Sequence, residues 1–251
     1  MLYWRTMLLE RLIKESKMKV NLFQDGMGAV EYVSHMGADL SVVNAARVSF
    51  GTEKKEVDEK DIKLINYLMA HNHSSPFEHC VITYKFTVPL FIRSQHHRHR
   101  TWAYNEISRR YTSVDMNFYS PKTFRTQHKS NRQASEDVLV NPTLNSSFLQ
   151  GGTALASEAV SRHHTNSLSL YNSLLDSGVC REQARGVLPQ NLYTEYFGTV
   201  NLHNLLKFVS LRVHEGAQWE IQQVAKACLQ IAKQYFPHSV QAYAKKHNME
   251  L

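Results

Sequence analysis

Fourteen residues, RHRTWAYNEISRRY from Arg98 to Tyr111, hold four arginines, a histidine, a tryptophan, two tyrosines and a single glutamate. Like charges repel at this spacing, so the cluster needs an anionic counterpart. A nucleotide, a nucleic-acid backbone, or carboxylates elsewhere in the fold or on a neighbouring subunit would each serve. Histidine aside, every cationic residue from Arg93 to Arg110 is arginine and none is lysine. The guanidinium fork grips phosphate and carboxylate in bidentate fashion, whereas an ammonium acts as a point charge. Glu106, the odd acid, would orient an arginine or accept from a base or a ribose hydroxyl. Trp102, Tyr104 and Tyr111, set among the arginines, also fit stacking on single-stranded nucleic acid. His96, His97 and His99 share no face of a helix or strand and have cations beside them, so no metal site is expected here.

Two further signals carry charge or polarity. In HNHSSPFEH, residues 71 to 79, Ser75-Pro76-Phe77-Glu78 has the form of a capping box, with Ser75 as N-cap and Pro76 in the first helical position. A helix start offers free N–H groups to phosphate; a capped turn without a ligand is the plainer alternative. Arg212 lies three residues after Val209 and seven after Leu205, so it continues an apolar helical stripe. A guanidinium buried there must be paired, either with Glu215 three residues on or with a ligand. Arg181 and Arg185 share a face of a short helix, with Glu182 as the local partner.

The elements that must position these residues are read from periodicity. DLSVVNAARVSFG reads as a helix closing on Gly51, and Ile62, Ile65 and Leu68 recur at helical spacing from Glu59 onward. In VITYKFTVP the apolar Ile82, Tyr84, Phe86 and Val88 alternate with polar residues, a half-buried strand that Pro89 ends. A helix starting near Pro89 would put Gln95 and Arg98 on one face. Residues 112 to 152 are polar and irregular, which points to a lid, a binding loop or an insertion. A helix from Ala154 to Asp176 ends at Gly178, a shorter one carries REQARGVL, and LYTEYFGTV reads as a strand. Leu202, Leu205, Leu206 and Val209 mark a helix, and Ile221, Val224, Ala225, Cys228 and Ile231 mark the last one. Helices with few strands and room for antiparallel connections indicate an α+β fold.

The totals set outer bounds. The chain has 251 residues, 43% of them hydrophobic and 20% charged, a globular rather than disordered composition. A formal net charge of +7 favours anionic partners and says nothing about fold. Cys80, Cys180 and Cys228 form no CxxC pair, which fits a reducing compartment and argues against a disulfide framework. No stretch approaches the ~20 apolar residues of a membrane span. Charges interrupt the opening MLYWRTMLLERLIKESK, so it does not read as a signal peptide. The cytoplasm is the expected compartment, and residues 1–17 are expected to be an appendage before a first strand near Met18.

Arg98-His99-Arg100, seven residues and then Ser108 reproduce the RHRx7S signature, and in this the chain resembles the flavin-dependent thymidylate synthases. NEISRRY, SPFEH, DLSVVNAARVS, REQARGVLP, LYTEYFGTVN and AQWEIQ match as well, in the family's order, so that the resemblance spans roughly Met18 to Phe236. It implies a single mixed domain over residues 18–251, an antiparallel sheet flanked by long helices. It also implies dUMP as substrate, FAD as cofactor, NADPH as reductant and 5,10-methylenetetrahydrofolate as carbon donor. The assembly would be a homotetramer with active sites shared between subunits, with neither nucleic acid nor membrane as a partner. Carried over by position, Gln95, His96, His97 and Arg98 would contact dUMP. Glu106, Ile107, Ser108, Arg109 and Arg110 of a neighbouring subunit would close on it, with Arg185 assisting. Arg212 would be the catalytic residue, set against the uracil to stabilise negative charge at N3. FAD would meet Ser75, Arg98, His99, Arg100, Glu106, Asn201, His203 and Lys207. The family often has arginine at the His203 position and commonly asparagine at that of Lys207.

Uracil C5 is a poor nucleophile until electron density is pushed onto the ring. The other class of thymidylate synthase does this with a cysteine that follows a proline, and none of the three cysteines here does. Ser108 has no evident base in its motif, which assigns it to binding rather than attack. Activation would rest on Arg212 polarising the pyrimidine, with the arginine cluster holding it in place. Two rivals stand beside this reading. A single-stranded nucleic-acid binder would show salt-dependent oligonucleotide affinity; a flavoprotein reductase would oxidise NADPH without making dTMP.

Overall fold

A computed structural model describes residues 18–145 and 152–250, so the expected appendage 1–17 lies outside the described residues. Strands β1 (Lys19–Asn21) and β2 (Ala29–Met36) form a hairpin with Val20 opposite Val30. Helix α1 (Asp39–Arg47) runs into a 3-10 turn that stops at Gly51, where φ is 63°, a left-handed end that glycine adopts without a Cβ clash. Helix α2 (Glu59–Ala70) is capped by Asp58, which accepts from the amides of Lys60 and Asp61. Next come β3 (Val81–Pro89), α3 (Leu90–His96) and β4 (Ala103–Glu106). The middle of the chain adds two small ladders, β5 (Phe124–Gln127) with β6 (Ser135–Val140) and β7 (Thr143–Asn145) with β8 (Thr153–Leu155). The long helix α4 (Ala156–Asp176) and the short α5 (Arg181–Ala184) lead to β9 (Tyr193–Asn201). Helices α6 (Leu202–Arg212), α7 (Trp219–Tyr235) and α8 (Pro237–Lys246) complete the chain.

The main sheet is antiparallel with strand order β1-β2-β3-β9-β4. Strand β3 alternates as its sequence dictates: Ile82, Tyr84, Phe86 and Val88 are fully buried, while Thr83, Lys85 and Thr87 face the other way. The buried face packs on α7, and the Tyr84 hydroxyl donates to the Cys228 carbonyl at 3.0 Å. On the opposite face Lys85 pairs with Glu195 at 3.0 Å and Phe197 stays 48% exposed, so the helices of this core cover the sheet from one side. Helix α8 is anchored across the fold, where buried Asp39 accepts from the amides of His238 and Ser239 at 2.8 and 2.9 Å.

Three expectations change. Segment 112–152 is not irregular throughout, since it contains β5, β6 and β7 and the approach to β8. Their side chains are largely exposed, so no burial period marks them in sequence. The capping box at Ser75 is absent: Ser74 is the N-cap without a side-chain cap bond, and Ser75–His79 is one 3-10 turn. Buried Pro76 and Phe77 set this tight turn, which has too few aligned peptides to act as a helix N-terminus. Finally, the helix after Pro89 stops at His96, before the arginine motif, and the motif crosses a turn into the edge strand β4.

Candidate active site

The turn from α3 to β4 is built on aromatic packing. His96 is fully buried, with its Nδ1 2.8 Å from the Tyr196 hydroxyl. Phe86, Trp102 and Phe208 surround its ring at centroid distances of 4.7, 4.5 and 4.7 Å. Burial, followed by the charges of His99, His97 and Arg212, pushes the His96 imidazole well below its ordinary pKa. Its side chain is therefore a neutral group of the core, where the family resemblance implies a contact with dUMP. His97 stacks on Tyr104 at 4.0 Å, and the Tyr104 hydroxyl donates to the carbonyls of His96 and His99 at 2.9 and 3.2 Å. Trp102 is only 6% exposed. The two aromatics thus fix the turn from inside and offer no stacking platform for nucleic acid; Tyr111 alone of the three is exposed.

This scaffold presents a first group of polar residues. Arg212 follows Phe208 and Val209 along the buried stripe of α6, as its spacing predicts. Its guanidinium does not pair with Glu215. Instead Nε donates to His99 Nε2 at 2.9 Å and Nη2 to the Gln95 carbonyl at 3.4 Å. The His99 pKa is pushed down to about 4 by burial and then by the charges of Arg212 and Lys207. At neutral pH His99 is therefore an uncharged acceptor that fixes Arg212 without neutralising it. Arg98 and Arg100 flank this group on the exposed side of the turn. Among the described residues, Arg98, Arg100, Arg185 and Arg212 have no carboxylate partner, whereas Arg93 pairs with Glu106 and Arg110 with Glu182.

The second group lines a pocket of about 350 Å³ walled by Arg93, Glu106, Ile107, Ser108, Arg109, Arg185 and neighbours from β9. Glu106 Oε1 accepts from the Thr194 hydroxyl at 2.7 Å and lies 3.2 Å from Arg93 Nε, an ion pair without hydrogen-bond alignment. Arg109 is spent on the backbone, donating to the carbonyls of Val114, Asp115 and Tyr193. Arg110 pairs with Glu182 at 3.2 Å and does not line the pocket. Ser108 Oγ accepts from the Arg110 amide at 3.3 Å and, among the described residues, makes no hydrogen bond to a histidine or carboxylate. Arg185 is exposed and, among the described residues, donates only to the Glu182 carbonyl through Nε.

One chain therefore gathers Gln95, His99 and Arg212 in one place and Glu106 to Arg109 with Arg185 in another. A third feature adjoins the first group. A cavity of about 400 Å³ is walled by apolar Leu68, Met69, Phe77 and Leu206, with His73, His203 and Lys207 also in its lining. The lysine lines the cavity and also acts electrostatically on His99, so the two features are contiguous. Ser75 is next to the cavity-lining Ser74 but does not line it. Asn201 caps α6, its Oδ1 taken by the amide of Asn204 at 2.9 Å, so only its Nδ2 is left for a ligand. Residues that spacing had not singled out are Arg93, Thr194, Gln218 and Glu220. The last two were visible only inside the AQWEIQ block, without a role.

Unpaired guanidinium groups on an aromatic scaffold, beside an apolar cavity with a lysine in its wall, define a protein built to bind anionic, ring-bearing ligands. Within that class the chain belongs to the flavin-dependent thymidylate synthases: the family model described as thymidylate synthase complementing protein matches residues 31–238. The flavin-dependent thymidylate synthase of Thermus thermophilus is 43% identical over 223 residues, covering 89% of this chain and 77% of that protein. The corresponding protein of Thermotoga neapolitana is 42% identical over 218 residues, covering 87% and 91%. Among solved structures, the UMP/dUMP methylase PolB from Streptomyces cacaoi bound with 5-Br UMP has a TM-score of 0.74 at 31% identity, covering 92% of this chain and 99% of that one.

Proposed function

We propose that the chain methylates dUMP to dTMP as an FAD-dependent thymidylate synthase, with 5,10-methylenetetrahydrofolate as carbon donor and NADPH as reductant. The observation that carries this reading is Arg212. A half-buried guanidinium with no carboxylate partner, oriented by a neutral histidine and a carbonyl, is a donor kept for negative charge that arrives with a ligand. The membership of the chain in the family supports the substrate and the flavin.

The chain's own residues divide the work. Arg212, beside the pyrimidine, stabilises negative charge at N3 and so raises the nucleophilicity of C5. His99 holds Nε of that guanidinium, and Gln95 holds Nη2 through its carbonyl. Arg185 and the Ser108 hydroxyl, both at the second pocket, take the phosphate, while Arg93 and Thr194 fix Glu106 toward the sugar and base. Ser108 acts in binding, since nothing near it accepts its proton. The two buried thiols stay out of the chemistry: burial pushes the Cys80 pKa up to about 12, and Cys228 is raised as well.

The apolar cavity fits part of a flavin nucleotide, because its greasy walls suit a ring system and the Lys207 ammonium has no carboxylate partner among the described residues. His203, Lys207, Asn201 and the exposed Arg98 and Arg100 would hold it. When bound and reduced, the flavin supplies the hydride that completes the methyl group. The active site is completed between subunits of a homotetramer, one supplying Gln95, His99 and Arg212 and another supplying Ser108 and Arg185.

The purified protein is expected to be yellow, to release FAD on heating, and to form dTMP from dUMP only when NADPH and methylenetetrahydrofolate are both added. A protein that cannot be loaded with FAD, or that oxidises NADPH and never yields dTMP, would overturn the proposal.

A further inference from the structure

Glu220 is 4% exposed, lies in the first turn of α7 and lines none of the pockets described above. Its Oε1 accepts from Arg125 Nη2 at 2.6 Å and from the Tyr119 hydroxyl at 3.2 Å. Its Oε2 accepts from Gln218 Nε2 at 2.9 Å. A carboxylate paired with arginine has no proton to give, so the Gln218 amide must turn its NH₂ toward it. Gln218 Oε1 then faces Gln95, and Gln95 Nε2 donates to it at 2.5 Å. The two ends of an amide are told apart only by their partners, and here the carboxylate at the end of the chain forces both assignments. The end of the Gln95 amide left without a partner among the described residues is its side-chain oxygen Oε1, on the residue whose main-chain carbonyl accepts from Arg212 Nη2.

We propose that Glu220 is a positioning residue for the nucleotide site: acting through Gln218, it fixes the Gln95 amide so that an acceptor, not a donor, faces the ligand. This rests on the reading of Gln95 as a dUMP contact. An amide acceptor at Gln95 together with the guanidinium donor that its main chain holds suits a nucleotide that offers both an N–H or O–H and a carbonyl. Without the carboxylate, Gln218 turns over at little cost, Gln95 follows, and the NH₂ it then presents opposes the donor on the nucleotide.

The test compares flavin-loaded, full-length wild type with three variants, measuring the dUMP Kd by titration together with KM, kcat, flavin content and melting temperature. Glu220→Gln is expected to raise Kd and KM for dUMP about three- to tenfold, the effect of one misdirected hydrogen bond. Its kcat should hold, because Gln95 contributes ground-state binding. Gln218→Leu breaks the relay but leaves the Arg125–Glu220 pair intact, and should weaken dUMP similarly even if Glu220→Gln fails to fold. In the exchanged double variant Gln218→Glu/Glu220→Gln, the carboxylate at 218 can only accept from Gln95, so dUMP affinity should return. A merely structural role for Glu220 predicts instead that kcat, flavin content and melting temperature fall together and that the exchange restores nothing. The inference is overturned if wild type binds dUMP and Gln218→Leu binds it equally well, or if the folded double variant stays as weak as the single one. Failure of wild type to bind dUMP would overturn the functional reading, and this inference with it.

Discussion

Arg212 is where the chemistry is most exposed to test. Under the proposed function, truncation to alanine removes the donor that would face the pyrimidine, and loss of one such group typically costs about 10²–10³ in kcat. Arg212 is not part of the cavity wall, so Arg212→Ala is expected to keep its flavin spectrum while dTMP formation collapses. Steady-state turnover alongside the absorption spectrum checks this, and undiminished turnover would remove Arg212 from the mechanism. The position of this residue was legible in sequence, because a charge on an apolar helical stripe must find a partner. The identity of the partner was not. Glu215 is close along the chain, but His99 and Gln95 come from a turn more than a hundred residues earlier. The same limit explains His96, Arg109 and Arg110. The family resemblance implies ligand contacts for them, while within one chain the fold buries the first, engages the second with backbone carbonyls and pairs the third with Glu182.

Elements matter here for how firmly they hold the arginine turn. Gly198 lies in β9 between Tyr84 of β3 and Tyr104 of β4. A Cβ built there would come within 2.8 Å of a ring carbon of Phe86 and 3.2 Å of Trp102, the ring that anchors the turn. Overpacking of this kind costs about 1–3 kcal/mol, so Gly198→Ala is expected to lower the melting temperature and to loosen the motif. Thermal unfolding followed by Trp fluorescence reads both, and an unchanged melting temperature would show that the strands move apart freely. Strands β3 and β9 and helices α6 and α7 were readable because each buries one face and so shows its period. The β5–β6 hairpin was not, since Val138 and Leu139 are 57% and 61% exposed and no core selects their register. Strand β4 was hidden for another reason: it lies inside the arginine motif, whose composition shows no burial period, and only pairing with β9 makes it a strand.

At the scale of the whole molecule, the proposed assembly can be tested through two arginines. Arg212 is held by His99, and Arg185 lines the pocket of Ser108. In the proposed shared site, both would meet one nucleotide across a subunit interface. Arg212→Ala and Arg185→Ala chains are each expected to be nearly inactive alone. If each site takes Arg212 from one protomer and Arg185 from another, random mixing gives about a quarter of the sites both wild-type residues. Co-expressed chains with different affinity tags, purified through both, should then recover activity well above the sum of the two parents. If instead the two arginines act from the same protomer, every mixed site lacks one of them and the doubly purified assembly stays as inactive as its parents. Gel filtration of the mixture alongside wild type separates that outcome from a simple failure to assemble. The recovered activity therefore reports which chain supplies each guanidinium, a property that no single protomer displays.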